Sequence, residues 1–177
     1  MDVYNIYFQR FSYDGSSYTA GTFFNPQTEN NVYCRSISMS PMQEMKELAT
    51  LDWPGMDGTD VYVPGEITGN GRPRRKSYDI EISFIWEGSD ELWRSVMGTM
   101  ITYMRGGRLA YYDEYSKIGR KDLTMKRYET ESLFRNDTGS TSIMCIKFTF
   151  AVNDPVTDVS CVTNSQGTVI RLTWQNL

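Results

Sequence analysis

Three carboxylates, Glu81, Asp113 and Glu114, are the side chains with the clearest potential for chemistry in this sequence. A carboxylate pair can hydrolyse a glycosidic bond when about 5–10 Å separates the two groups, because one protonates the leaving group and the other acts as nucleophile or base. Nothing in the sequence fixes that separation, and charged residues at strand ends are the simpler interpretation. A hydrolase that uses Asp113 and Glu81 is therefore the weakest hypothesis considered for this chain.

Other catalytic and metal-binding patterns are missing from the sequence. The 177 residues contain no histidine, which excludes Ser-His and Cys-His nucleophile pairs and the HExxH zinc site. The three cysteines, Cys34, Cys145 and Cys161, form no CxxC pair, so we interpret them as reduced thiols, with Cys34 and Cys145 buried in strand-like runs. The sequence predicts no catalytic residues, no cofactor and no metal site, and so a protein that is not an enzyme.

Alternation of apolar and polar residues predicts a mainly β fold. In residues 78–86, Tyr78, Ile80, Ile82, Phe84 and Trp86 share one face of an extended chain. Residues 142–152 repeat the pattern. Weaker strand candidates are 3–11, 32–38, 60–64, 108–112, 122–129 and 168–174. So many strands in a short chain favour an antiparallel β-sandwich or barrel.

Two helices are predicted among the strands, which makes the fold class α+β. Residues 88–105 carry a broad apolar stripe, with Ser89 as the expected N-cap and Gly106 and Gly107 as the stop signal. This amphipathic helix is expected to lie against the sheet or a partner. A shorter helix is predicted over 41–51, with Ser40 as its cap.

Length and charge indicate one acidic domain over residues 1–177. The polar segments 14–31, 65–77 and 135–142 are predicted as loops within it. The net charge of −4 argues against a dedicated nucleic-acid binder. The sequence contains no membrane-spanning run or signal peptide, so we expect a protein made and used in a cytosol, without a membrane anchor.

From Leu51 onward, the order of motifs resembles a known family of phage proteins. The motifs are LDWPGMDGTDVYVPG, RRKSYDIEISFIW, GSDELWRSVMGTMITYM, RGGRLAYYDEYSKIGRKDLTMKRYE and IKFTFAVNDP. This order is similar to the first domain of siphophage distal tail proteins and, through it, to the tail-tube class. The resemblance covers residues 51–155 as a tail-protein-like core, with N-terminal strands and a loop in 1–50. Residues 156–177 are a C-terminal extension that could pack on a neighbouring subunit.

The resemblance implies a structural component of a phage tail or baseplate hub. Its protomers would form a homo-oligomer, a hexameric ring or tube around a DNA channel, contacting other tail or baseplate proteins. DNA would pass without specific binding, and the protein would reside in the virion tail after assembly in the bacterial host cytoplasm. Distal tail proteins usually carry a second domain, for which the residues after Pro155 leave no room, so a distal tail protein, a tail tube and another ring protein remain alternatives.

Residues predicted to contact neighbouring subunits combine apolar anchors with a basic cluster. Trp and Met are common in interface cores, and the Pro-Gly turn after Trp53 gives that loop an apolar anchor. The arginines could contact an acidic neighbour, although a solvated loop tip is the simpler interpretation. The interface candidates are Trp53, Pro54, Trp93, Met97, Met100, Arg74 and Arg75.

A carbohydrate- or receptor-binding β-sandwich is the alternative hypothesis. Aromatic rings stack on sugar rings, and 12 tyrosines occur in the chain. Tyr111, Tyr112 and Tyr115 are the candidates for such a platform. This hypothesis predicts a compact monomer with an aromatic groove.

Overall fold

The computed structural model describes residues 4–39, 49–51, 60–62, 75–89, 91–135 and 141–174 of the chain. These residues form eleven strands and two helices. In chain order, they are β1 (Ile6–Tyr13), β2 (Tyr18–Phe24), α1 (Pro26–Asn30), β3 (Val32–Met39), β4 (Ala49–Leu51), β5 (Asp60–Tyr62), β6 (Tyr78–Ser89), α2 (Trp93–Met104), β7 (Arg108–Asp113), β8 (Ile118–Arg135), β9 (Thr141–Val152), β10 (Val159–Thr163) and β11 (Val169–Trp174).

One antiparallel sheet of seven strands dominates the fold, in the order β2-β1-β7-β8-β9-β6-β3. Strand β8 lies at its centre, and the long unbroken pairing of β6 with β9 runs from Tyr78 opposite Val152 to Ser89 opposite Thr141. Alternation of side chains along these strands places their aromatic and aliphatic residues on one face. The strands β4 and β5 form a separate two-stranded ladder.

The large sheet curls strongly toward its apolar face. Neighbouring strands lie about 4.8 Å apart, so the four steps from β1 to β6 would span about 19 Å in a flat sheet. The rings of Phe8 on β1 and Phe84 on β6 are nevertheless only 6.4 Å apart. The sheet therefore closes on its own core as in a sandwich or barrel, and the predicted mainly β, α+β fold class is confirmed.

Helix α2 covers this core. Its Met100 and Met104 side chains are fully buried among sheet residues. The helix begins at Trp93 rather than near residue 88, because Gly88 and Ser89 continue β6 in its pairing with β9. Ser89 is therefore not the N-cap; Leu92 holds that position without a side-chain hydrogen bond. None of the described helices is long and apolar enough to cross a bilayer.

A second, smaller core lies on the opposite face of the sheet. The hairpin of β10 and β11 packs there, and its Val159, Leu172 and Trp174 side chains are buried against Tyr7 and Ala110. The buried Gln9 side chain accepts a hydrogen bond from the Leu172 backbone N–H at 2.6 Å. Residues 159–174 of the predicted extension therefore pack on their own chain, and a contact of the extension with a neighbouring subunit stays a prediction.

Other elements predicted from the sequence also have different boundaries in the structure. The segment 14–31 is not a simple loop, because it contains β2 and α1. The predicted helix over 41–51 is wrong for residues 49–51, which form β4, while 41–48 lie outside the described residues. The strand predicted over 122–129 extends over 118–135, since its partner β9 offers a long pairing edge.

A buried cation connects the sheet to the loop before β10. The Lys121 ammonium lies 3.2 Å from the Asp154 carboxylate and 3.1 Å from the Tyr18 hydroxyl. Burial alone would raise the pKa of Asp154, but hydrogen bonds from Thr157, Val156 and Lys121 outweigh it and lower that pKa. Because the carboxylate is favoured in the folded state, it stabilises the fold above its ordinary pKa near 3.8.

Replacing Asp154 by asparagine is expected to lower the free energy of unfolding by roughly 1–2 kcal/mol at pH 7, since the buried Lys121 ammonium loses a charged partner. The wild-type contribution is lost as pH falls through the folded-state pKa of Asp154, which lies below 3.8, so the two proteins should converge in stability at the acid end of the range. Urea unfolding from pH 7 to pH 2 measures this. Asp79→Asn is the control, because Asp79 pairs with Lys126 where both side chains are about half exposed, and exposed ion pairs contribute little to stability. A constant difference between the Asp154 variant and wild type at all pH values would contradict the assignment.

Candidate assembly surfaces

The helical residues predicted to form an interface lie mainly inside the protomer. Met100 is fully buried and Met97 is 6% exposed, and both contact the core of their own chain. Trp93 is half-buried at the start of α2. A subunit contact through these residues stays a prediction, and for the two methionines it would require α2 to leave the sheet.

Of the remaining predicted interface residues, two precede β5 in the sequence and two precede β6. Trp53, Pro54 and Arg74 fall outside the described residues. Arg75 is described and exposed. A contact of these four residues with a neighbouring subunit therefore stays a prediction.

The three candidate carboxylates do not converge. Asp113 caps the turn after β7 by accepting backbone N–H bonds from Tyr115 and Ser116. Glu114 accepts the backbone N–H of Asn5 at 3.0 Å. Glu81 lies on β6, which β8 and β9 separate from β7 in the sheet order, and it pairs with Arg127 of β8 and Lys147 of β9. The geometry of a glycoside hydrolase is not formed by these residues.

The three candidate tyrosines do not share one surface either. Tyr111 is fully buried in the main core, whereas the next residue, Tyr112, packs against the smaller core on the other face. Tyr115 is 72% exposed and lies edge-on against Tyr4, with ring centroids 5.0 Å apart. An aromatic groove built from all three is therefore not present.

Two of the three cysteines, Cys34 and Cys161, occupy environments that suppress thiolate formation. Burial, followed by the negative charge of Asp113, raises the pKa of Cys34 to about 12. Burial also raises the pKa of Cys161 to about 11. Cys145 is buried in β9. All three are free thiols, and these raised values agree with inert packing roles rather than nucleophilic ones.

A basic cleft lies where the chain leaves α2 and passes β8. Its volume is about 660 Å³, and among the described residues that line it none is acidic. We use the name basic cleft for the site lined by Arg105, Gly107, Arg108, Thr124, Met125, Lys126, Arg127 and Tyr128. Four cations beside a methionine and a half-exposed tyrosine form a surface suited to an acidic partner with some apolar character.

Local structure explains how the cleft is formed. Gly107 has a φ of +101°, which is unfavourable for a side chain, so the chain reverses sharply between α2 and β7. The pairing of Leu109 with Leu123 then brings Arg108 beside the start of the cleft segment of β8. A shift in register between Met125 and Arg127 marks a bulge at Lys126, which locally bends the strand.

Most of the cleft cations also have acidic neighbours outside the cleft. Lys126 lies 2.7 Å from Asp79, Arg127 lies 3.6 Å from Glu81, and Arg108 lies 3.5 Å from Asp122. These exposed pairs are worth little individually, because water and salt screen them. The sequence did not reveal this site, since residues 105–108 and 124–128 meet only through the register of β7 and β8.

The opposite end of the sheet carries acidic and apolar side chains. Glu87 on β6 pairs with Ile143 on β9, and Ile143 pairs with Phe134 on β8, so the three side chains form one row across the outer face. All three are exposed, Phe134 by 62%. Glu91 is exposed just before α2. We call the set Glu87, Glu91, Phe134 and Ile143 the acidic end.

Strand β2 offers a third surface of possible assembly. It is an edge strand that pairs with β1 on one side and, among the described residues, with no strand on the other. Its sequence, YTAGTFF, contains neither a charge nor a proline, the features that usually protect an edge. The Thr22 carbonyl already accepts a hydrogen bond from the Tyr103 hydroxyl at 2.6 Å and the Gly21 carbonyl accepts one from the Gln9 side chain at 3.3 Å, so the edge is open to a strand from another chain only in part.

The comparisons with known proteins add a likeness of fold. No protein-family model and no curated protein sequence matches the chain. Among solved structures, the chain is similar to the Dit protein of phage SPP1, described as a paradigm of the hub adsorption apparatus in phages that infect Gram-positive bacteria. The TM-score is 0.50 at 12% sequence identity, with 92% of this chain covered. The chain spans 59% of the length of the SPP1 protein, and what the two share is the fold.

Proposed function

We propose that this protein is a structural component of the tail of a phage or phage-like particle, acting by assembly without catalysis. The observation that carries the proposal is the likeness of fold to the SPP1 Dit protein over 92% of the chain. By analogy with that hub protein, the chain would form a homo-oligomeric ring or tube at the distal tail or baseplate hub. Its partners would be further copies and other tail or baseplate proteins.

The surface of the protomer supports an assembly role. Exposed apolar residues at the acidic end, an uncharged edge strand and a cation-rich cleft are three separate surfaces able to contact other chains. Because DNA would pass through the channel without specific binding, a weakly acidic protein is suitable, and the net charge is −4. The proposed location is the virion tail, after assembly in the bacterial host cytoplasm.

The proposal is tested by native mass spectrometry and light scattering of the purified protein over a range of concentrations, followed by negative-stain imaging. The expected result is a closed ring or a tube, most simply with sixfold symmetry. A protein that remains monomeric at every concentration in low and moderate salt contradicts the assembly proposal. A glycan screen on such a monomer would then test the carbohydrate-binding alternative.

A further inference from the structure

We propose that the basic cleft of one protomer receives the acidic end of the next copy of the same chain, in a head-to-tail contact. This inference rests on the proposed function, because it identifies the surfaces through which a ring would close. The occupant of the cleft is a second copy of this chain, not nucleic acid.

The first argument is that the two surfaces lie at opposite ends of the protomer. The residue Arg105 follows the last residue of α2, whereas Glu91 precedes its first. The 12 residues of the helix correspond to about 18 Å. Along β9, Ile143 belongs to the acidic end, and Phe150 lies opposite the cleft residue Met125. These seven steps correspond to about 24 Å. The two surfaces therefore cannot meet within one chain.

The second argument is their chemical complementarity. The cleft presents four cations together with Met125 and Tyr128, and the acidic end presents two carboxylates together with Phe134 and Ile143. Apolar groups at the centre with charged groups at the rim are the usual composition of a protein interface. Both surfaces have this composition with opposite charge.

The third argument is symmetry. A contact between two different surfaces of identical chains is heterologous, and successive copies then form either a closed ring or an open filament. Two like surfaces in contact would instead give a twofold dimer. The placement of the basic cleft and the acidic end at opposite ends of the sheet thus favours the assembly type that the proposed function requires.

Nucleic acid is the less favoured occupant. The chain as a whole is acidic, and strong binding to phosphate needs a broad cationic surface. An apolar surface that carries carboxylates pairs with Arg105 and packs on Met125 and Tyr128 at the same time. A phosphate backbone pairs with Arg105 but gives Met125 and Tyr128 no apolar partner.

The test uses charge reversal at exposed positions of the full chain. Arg105→Glu in the cleft and Glu91→Lys at the acidic end should each raise the concentration needed for half-maximal assembly at least tenfold. Mixed in equal amounts, the two variants should assemble at close to the wild-type concentration, because each reversed surface then meets a complementary one. Arg171→Glu on β11 is the control with the same charge change at an exposed site outside the cleft, and it should assemble like wild type. Circular dichroism and thermal unfolding verify that all variants are folded.

The outcomes separate this inference from the proposed function. If wild type forms rings and neither charge reversal affects them, the cleft contact is overturned while the ring remains. The same holds if the equal mixture of the two variants does not regain assembly. If wild type forms no closed assembly, the proposed function itself fails. If Arg105→Glu leaves assembly unchanged but weakens binding of a fluorescent DNA duplex, the cleft belongs to a polyanion and the inference is overturned.

Discussion

Replacing Phe148 by alanine is expected to lower the free energy of unfolding by about 3–5 kcal/mol, the usual cost of removing a buried aromatic ring. Phe148 is fully buried on β9, and its ring lies 5.9 Å from that of Phe84 and 6.1 Å from that of Phe150. The alanine would leave a cavity where the curled sheet closes on itself, so the packed neighbours cannot easily collapse into it. Urea or guanidinium unfolding, followed by circular dichroism, measures the loss.

Phe134→Ala provides the matched control for this prediction. The chemical change is the same, but Phe134 is 62% exposed near the end of β8. We expect a change within about 0.5 kcal/mol, as for most surface substitutions. Equal losses for the two variants would contradict the placement of Phe148 at the centre of the core.

Replacing Gly119 by alanine is expected to destabilise the fold by about 3 kcal/mol or more, at the upper end of the range for overpacking. An added Cβ would lie 2.7 Å from the Tyr111 carbonyl oxygen and 2.8 Å from the Val159 carbonyl oxygen. Both contacts are to backbone, so the strain can be relieved only by moving β7 or the β10–β11 hairpin. The same unfolding experiment measures the effect.

Gly98→Ala is the control for the glycine prediction, because a Cβ at this exposed position in α2 has no heavy atom within 4 Å. Alanine favours a helix over glycine by about 0.5–1 kcal/mol, so this variant should be more stable than wild type. A Gly119→Ala protein as stable as wild type would show that β10 does not lie against β8 as described.

The strongest strands could be predicted from sequence because burial on one face imposes a period of two. In β6, the residues Ile80, Ile82 and Phe84 are all fully buried, as their alternation indicates. Strand β8 is less visible in the sequence, since charged residues such as Lys126, Arg127 and Glu129 interrupt its outer part. Pairing with β9, rather than its own composition, makes residues 118–135 a strand.

Two sequence-based predictions, the N-cap at Ser89 and a loop where β2 lies, were wrong because pairing with distant strands is not visible in the local sequence. Ser89 has the side chain of a helix cap, yet its backbone pairs with Thr141, and this sheet contact delays the start of α2. Strand β2 was missed because an edge strand with four consecutive exposed residues lacks clear alternation. In both places tertiary pairing determines the conformation.

The candidate assembly surfaces were the least predictable part of the protein. Met97 and Met100 have the composition of interface residues, but the same composition suits the core in which they lie. The basic cleft depends on Arg105 and Lys126, which are distant in sequence and meet through a hairpin register. The nearest signal in the sequence is that cations lie in and beside the two strands predicted over 108–112 and 122–129.

The position of β1 in the sheet has a consequence for synthesis of the chain. Strand β1 pairs on one side with β2, its neighbour in sequence, but on the other side with β7, where Ile6 lies opposite Asp113. A ribosome adds about 5–20 residues per second, so the 89 residues from Phe24 to Asp113 take about 4–18 s to make. During that interval the nascent β1–β2 hairpin lacks its partner strand β7, and its uncharged strand β2 is exposed to other proteins of the cell. Non-local pairing of this kind slows folding, so the yield of soluble protein should depend on chaperones that shield the amino-terminal hairpin until residue 113 has emerged.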